Sequence, residues 1–415
     1  MSNKQSMIFI VLIASAISLQ AVEDNAVKPL VRNVLKIQQI MKEQNIALNQ
    51  EAISRALVNA MITAVDPQAV ILTKEQAQRR KEDLRGFFYG AGLAIKKGEK
   101  FWQIVRVLDD GPSAGSDLQP GDRIVTINQQ TTENMSIEEI VDLLRGEEGE
   151  IVELEVCAET EETGEPRSVK IARDIIQIPA TAIIEEWPQG IDYIKINGLF
   201  RESGVEAVSQ MNIWMTTNHF GLIMDLRGAN GIDLDAIADI ASLFSKPDTK
   251  LFSVCDGQNK VITTYKAKKS KRMNMPVMLL IDSATSNSAE ALAAILHGCS
   301  GVMLIGTPTA GDNRIREFIP LVDDKVLYIA TSHVALAKGK SYVEKGVLPD
   351  IVISEAEQEK YIQQLPNEPK NDYFSALSES EKDDRALIKR VNSDYVLRRA
   401  TDILLGIKAL DMRTH

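Results

Sequence analysis

VMLLIDSATSNSAEALAAILHGCSGVMLIGTPTAGDNRIR, residues Val277 to Arg316, is the stretch around which the chain is organised. Val277 to Ile281 is a short unbroken apolar run, the pattern of a strand buried on both faces. A Ser/Thr/Asn turn follows, and Ala289 to Leu296 is built from strong helix formers. Strand, tight turn and helix in that order make an elbow. At the carboxyl end of a strand, an elbow holds a side chain beside the first free N–H groups of the helix. That geometry suits a nucleophile next to an oxyanion hole.

Two short segments carry the chemistry: Thr285-Ser286-Asn287-Ser288-Ala289-Glu290 at the elbow and Gly311-Asp312-Asn313-Arg314-Ile315-Arg316 beyond it. The arrangement resembles the carboxyl-terminal processing (tail-specific) proteases, serine peptidases with a Ser–Lys dyad and an inserted PDZ domain. In that family the elbow reads roughly S-A-S-A-S-E with the last Ser as nucleophile, and a later G-K-G-x-x-Q supplies the Lys base and a Gln that orients it. The resemblance therefore implies Ala289 at the nucleophile position, Asp312 at the base position and Arg316 at the orienting position. Glu290 and Gly311 hold the register on either side, so none of the three working side chains is intact. A methyl group cannot attack a carbonyl, and a carboxylate cannot donate the hydrogen bonds of a neutral Lys. Removing the nucleophile from such a constellation typically costs about a millionfold in turnover.

Ser288 is the fallback nucleophile. One residue at the start of a helix swings a side chain by about 100°, so Ser288 is expected to point away from a groove shaped for its neighbour. Asn287-x-x-Glu290 fits a capping box, with Asn287 or Ser288 satisfying free helix N–H groups.

The remaining chain bounds the reading. Its 415 residues allow two or three domains, and a formal net charge of −11 argues against nucleic acid as a partner. The basic run Lys266 to Arg272 is expected to be a solvated loop. Residues 1–21 have the outline of a signal peptide: Lys4, an apolar run from Met7 to Ile17 and small or polar residues up to Ala21. The expectation is export to a periplasmic or extracellular space, with no stable membrane span after cleavage. The three cysteines, Cys157, Cys255 and Cys299, form no C-x-x-C pair and have no metal-ligand spacing. No metal and no cofactor are expected, and Cys299, close to His297, reads as a buried helix-end thiol.

Taken in order, residues 24–85 show helical periodicity, with Leu72-Thr73-Lys74-Glu75 as a capped helix start. Residues 86–173 change to short strands and turns. Gly90-Ala91-Gly92-Leu93-Ala94-Ile95 resembles the carboxylate-binding loop and second strand of a PDZ domain, and Leu118-Gln119-Pro120-Gly121-Asp122-Arg123-Ile124 matches the family's L-x-P-G-D-x-I. Glycines at 90 and 92 allow backbone N–H groups to turn toward a terminal carboxylate. On the helix Ser136 to Arg145, Ile137, Val141 and Leu144 share a face, and Ile137 and Val141 are assigned to the peptide groove. Residues 174–355 return to the protease-like body. There Arg227-Gly228-Ala229-Asn230-Gly231-Ile232 stands against the family's R-N-N-P-G-G, so that Gly231 and Glu290 mark the oxyanion-hole region while Ile232 replaces a glycine. Residues 356–415 form a charged tail with a long helix over Asp383 to Leu410.

The expected fold class is α/β (α+β): a core with a mixed sheet and helices, an inserted PDZ-like domain rich in β-structure, a helical amino-terminal segment and a carboxyl-terminal helix. The resemblance implies an exported protease homologue that binds peptide or protein carboxyl termini, is catalytically silent, and partners an active relative or itself. The alternatives are an active serine endopeptidase using Ser288 with a base such as His297, and a purely structural interaction protein.

Overall fold

The computed structural model describes residues 27–44, 49–98, 100–158, 166–179, 181–187, 189–200, 203–217, 219–337, 341–364 and 387–414. The expected signal peptide and the prolines at 366 and 369 lie outside the described residues. The chain divides into two compact units, Met1–Val70 and Ile71–His415. The first carries helices Val27–Glu43 and Gln50–Val65, the latter opened by Asn49, whose side chain accepts from the Ala52 N–H.

In the second unit Val277–Ile281 lies inside a six-stranded sheet ordered Thr181–Trp187, Ile191–Ile196, Gly221–Asp225, Val277–Ile281, Val302–Gly306, Ile351–Val352. The first pair is antiparallel and the others are parallel. Alternate residues enter different layers. Leu222, Met224, Val277, Leu279 and Ile281 join helices Ser203–Trp214, Leu234–Ser242 and Asn287–His297 in one core. Ile223, Met278 and Leu280 join Val396, Leu397, Ala400 and Leu404 of helix Tyr395–Thr414 in another. Both faces are therefore covered, which is why these strands read as unbroken apolar runs.

The single helix expected over Asp383–Leu410 is corrected. Helical residues 387–393 stop at Asp394, whose carboxylate accepts from the Leu397 N–H and starts a new helix, Tyr395–Thr414. Aspartate favours the cap over the helix interior because its short side chain competes for backbone N–H groups.

Beside this sheet, Lys250–Asp256, Val261–Lys266, Arg314–Pro320 and Lys325–Leu336 form an antiparallel sheet. The β-rich insertion has strands Leu93–Lys97, Trp102–Val107, Arg123–Ile127, Ile151–Cys157 and Arg167–Ala172 in sheet order. Its helix Ile137–Leu144 opens on a Ser136–Glu139 capping box. The P-G-D turn has a mechanical reason. Gly121 takes φ +100, and buried Asp122 accepts from the Gln119 N–H and pairs with Arg167. Phe87–Gly90 and Asp174–Gln177 pair antiparallel, which clamps the entry and exit of the insertion together.

Candidate functional site

Two turns that follow neighbouring parallel strands are tied to each other at the elbow. Asp282 Oδ1 accepts from the N–H groups of Ala284 (3.1 Å), Thr285 (2.9 Å) and Gly228 (2.9 Å), and Thr285 Oγ1 donates to the Leu226 carbonyl at 2.8 Å. The helix then begins at Asn287 with φ +53, a left-handed backbone that Asn tolerates better than most residues.

The capping box does not form. Ser286 is the N-cap and makes no side-chain cap bond. Glu290, fully buried, instead braces the loop that carries Asp312. It accepts from Gly311 N–H (2.6 Å), Asp312 N–H (3.0 Å) and the Thr309 hydroxyl. Burial pushes the Glu290 carboxyl above its usual range despite these three donors. Its role is to shape this loop, and it does not line the groove at the elbow.

That groove encloses about 240 Å³, with Gly231, Ile232, Asn287, Ser288, Asp312 and Arg316 among its walls. The left-handed turn at Asn287 sets the phase of the helix, and this corrects the expected side-chain directions. Asn287 and Ser288 line the groove, whereas Ala289, assigned to the nucleophile position, is 0% exposed and packs in the hydrophobic core. Ser288 thus faces the groove it was expected to avoid. Among the described residues its hydroxyl has no hydrogen-bond partner. His297 is no base for it: the imidazole lies at the far end of the same helix, with Nε2 3.0 Å from Asp350 Oδ1.

Asp312 and Arg316 pair directly, with Nη2 2.5 Å from Oδ2, although a straight strand would separate them by about 13 Å. Asp312 precedes the strand, which starts at Arg314, and a bulge between Ile315 and Arg316 shortens the remaining path. Arg314 adds its backbone N–H to Asp312 Oδ1 at 3.0 Å. The groove wall therefore carries an internally neutralised ion pair where the motif comparison put a base and its orienting amide.

Gly231 is required by geometry. Its φ is +121, and a Cβ would lie 2.2 Å from the Leu199 carbonyl oxygen. Ile232 is exposed on the groove at a φ outside the positive range, so its branched side chain is accommodated there without backbone strain. Tyr342, which no motif flagged, also lines the groove; its side chain is buried and its hydroxyl has no hydrogen-bond partner among the described residues. Burial, followed by the charges of Glu290 and Asp312, pushes this phenol well above the usual tyrosine range.

Behind the groove, Arg227 bridges the sheet to the last helix. It donates from Nε and Nη2 to Asp225 (3.0 and 2.7 Å) and from Nη1 and Nη2 to Asp394 (2.9 and 2.6 Å). Burial alone would raise Asp225, but the Arg227 guanidinium outweighs it and holds the carboxyl below its usual range.

A second groove, of about 140 Å³, runs between the insertion's first strand and its helix. Of the residues assigned to peptide binding, Gly90, Ala91, Gly92, Leu93, Ile95 and Val141 line it. Ala94 is on the alternate side of the strand, and Ile137 stands 41% exposed one helical turn before Val141; neither is part of the wall. Only one of the two glycines is bent left-handed. Gly92 takes φ +75, where a Cβ would meet Pro112 Cδ at 2.8 Å, while Gly90 does not take a positive φ. Arg145 stacks over Phe88 at 4.2 Å at the edge of this groove and pairs with Asp83 at 2.9 Å.

Residues 190–353 match the description Peptidase family S41, and residues 103–157 match a PDZ domain. Together these matches support the carboxyl-terminal processing protease family for this chain. It is 25% identical over 296 residues to the carboxy-terminal processing protease CtpA of Bacillus subtilis, covering 71% of this chain and 62% of that relative, under two thirds of its length. It is also 25% identical over 292 residues to a carboxyl-terminal-processing protease of Picosynechococcus, covering 69% and 70%. Among solved structures, a photosystem II D1 C-terminal processing protease aligns at 19% identity over 77% of this chain and 86% of its own, with a TM-score of 0.45. No helix among the described residues is long and apolar enough to cross a membrane.

Proposed function

We propose that this chain is an exported, catalytically silent S41 protease homologue that captures peptide or protein carboxyl termini in its PDZ groove, acting beside an active relative or a second copy of itself. The observation that carries this reading is the chemistry of the elbow groove. Asn287 stands at the left-handed elbow position, an amide that is no nucleophile, and Asp312 is held by Arg316 and Arg314. Both of its oxygens are already engaged, Oδ2 by the Arg316 guanidinium and Oδ1 by the Arg314 N–H and guanidinium. The left-handed residue is the one an elbow presents to a substrate, so Asn287 replaces Ala289 as the position at which a nucleophile is missing.

The second reading, an active endopeptidase, has one observation in its favour: Ser288 lines the groove with an unbonded hydroxyl. A hydroxyl without a base is weak at neutral pH. Incubating the purified protein with an unfolded protein bearing an apolar carboxyl terminus separates the two. Saturable binding without cleavage supports the silent reading; cleavage abolished by Ser288→Ala overturns it. A triple variant, Asn287→Ser, Asp312→Lys and Arg316→Gln, is expected to gain cleavage if the scaffold is otherwise competent.

A further inference from the structure

At the amino ends of the parallel strands, away from the elbow, three donor side chains converge. Glu186 sits opposite Asp192 in the antiparallel register, and His219 precedes strand Gly221–Asp225, whose Leu222 flanks Asp192 on its other side. One donor atom from each of the three lies within 4.8 Å of the other two. His219 Nδ1 is 2.5 Å from Asp192 Oδ1, and Nε2 is 4.0 Å from Glu186 Oε2. Trp214 Nε1 donates to Glu186 Oε1 at 3.1 Å and so steers the other oxygen of that carboxylate.

Asp192 is 0% exposed, and among the described residues its Oδ2 has no hydrogen-bond partner. A buried carboxylate oxygen left unpaired is costly. Two carboxylates share one imidazole here, so the cluster lacks positive charge.

We propose that Glu186, Asp192 and His219 bind a single divalent transition-metal cation of the zinc type. An imidazole with carboxylates is a donor set that suits Zn²⁺ and its first-row neighbours. With bonds of about 2.0–2.2 Å, donors on opposite sides of an ion stand about 4 Å apart, so one donor atom from each residue, the three lying within 4.8 Å of one another, reaches a single ion after small side-chain adjustments, and the ion takes only one of the two ring nitrogens of His219. One doubly charged ion balances both carboxylates beside a neutral imidazole and gives Asp192 Oδ2 the partner it lacks. Glu186, at 52% side-chain exposure, leaves an edge through which the ion enters and a water completes the shell. The donors come from three successive segments of the core sheet, so the ion staples the strand ends; this role is independent of the proteolytic groove.

The test uses the full chain, stripped with a chelator and titrated with Zn²⁺ by calorimetry, with Co²⁺ absorption as a second readout. One equivalent should bind with a micromolar or tighter Kd, raise the thermal midpoint, and with Co²⁺ give ligand-field bands. Glu186→Gln, which keeps an acceptor for Trp214, and His219→Gln should each weaken binding by about tenfold or more. Absence of saturable binding in the wild-type chain, or one equivalent bound with undiminished affinity in either variant, overturns the site. Because the wild-type titration can decide alone, a variant that misfolds does not shield the proposal.

Discussion

The Asp312–Arg316 pair offers the sharpest test of the groove. Its side chains are 9% and 2% exposed, and the contact is 2.5 Å, so solvent screens it little. At an effective dielectric of about 20 and charge centres about 4 Å apart, the attraction is about 4 kcal/mol. Much of that offsets the cost of taking both ions out of water. Asp312→Asn removes the charge while keeping an acceptor for the Arg314 N–H, and leaves a cation in a site built for a pair. The expected loss is about 3 kcal/mol, the lower end for breaking a buried pair, because the Arg314 guanidinium, 34% exposed, is solvated whether or not Asp312 is charged. Arg316→Met should cost about 2–3 kcal/mol, and the double variant about 2 kcal/mol less than the sum of the two singles. Urea unfolding of the four proteins, followed by tryptophan fluorescence, supplies the cycle. A coupling below about 0.5 kcal/mol would show that the two charges do not act as a unit and would refute the argument that they neutralise each other in the groove wall.

Other outcomes follow from the same geometry. Arg227→Met should destabilise the chain by about 3–5 kcal/mol, since buried Asp225 loses its guanidinium. The pH dependence should also weaken. In the wild type the depressed Asp225 contributes stability above its ordinary range near pH 4 that is lost as pH falls through its lower folded value. In Arg227→Met, Asp225 keeps the Lys195 ammonium at 3.7 Å and the Tyr193 hydroxyl at 3.0 Å but loses the guanidinium, so its carboxyl should move up and the stability lost on acidification should shrink; chemical denaturation across that range compares the two slopes. Gly231→Ala should cost more than about 2 kcal/mol through backbone strain and the collision with the Leu199 carbonyl, and an unchanged unfolding midpoint would contradict that backbone. In the PDZ groove, Val141→Asp should weaken binding of an apolar-tailed peptide at least about tenfold by fluorescence anisotropy, because a charge would face the pocket for the terminal side chain.

The layered core was legible because its strands are buried on both faces and its helices carry their own caps. Val277–Ile281 and Gly221–Asp225 appear as continuous apolar runs, and Ser136 and Thr73 open helices through local capping boxes. The site was less legible because its side-chain directions depend on contacts distant in sequence. Glu290 lies three residues after Asn287, as a capping box requires, but finds better donors in Gly311 and Asp312, about twenty residues on. The Asp312–Arg316 contact needs a strand that starts late and bulges, and neither feature has a residue signature. Tyr342 reaches the groove from a segment without a recognised motif, and Arg227 finds Asp394 across 167 residues of chain.

One dihedral angle accounts for the largest difference between the sequence reading and the structure. A motif comparison counts residues, and counting backward from Glu290 gives Ala289 the working position. The backbone imposes a different count: with Asn287 at φ +53, the chain turns into the helix so that 287 and 288 meet the groove and 289 enters the core. A serine restored at 289 would therefore bury a hydroxyl among Leu292, Leu279 and their neighbours, whereas a serine at 287 would occupy the exposed corner of the elbow. Comparing Ala289→Ser with Asn287→Ser, each in the Asp312→Lys background, turns this geometric argument into a measurement. Reaction of an active-site-directed fluorophosphonate should be confined to the Asn287→Ser protein, and labelling of the Ala289→Ser protein instead would mean that the helix enters the groove one turn position later than its backbone indicates.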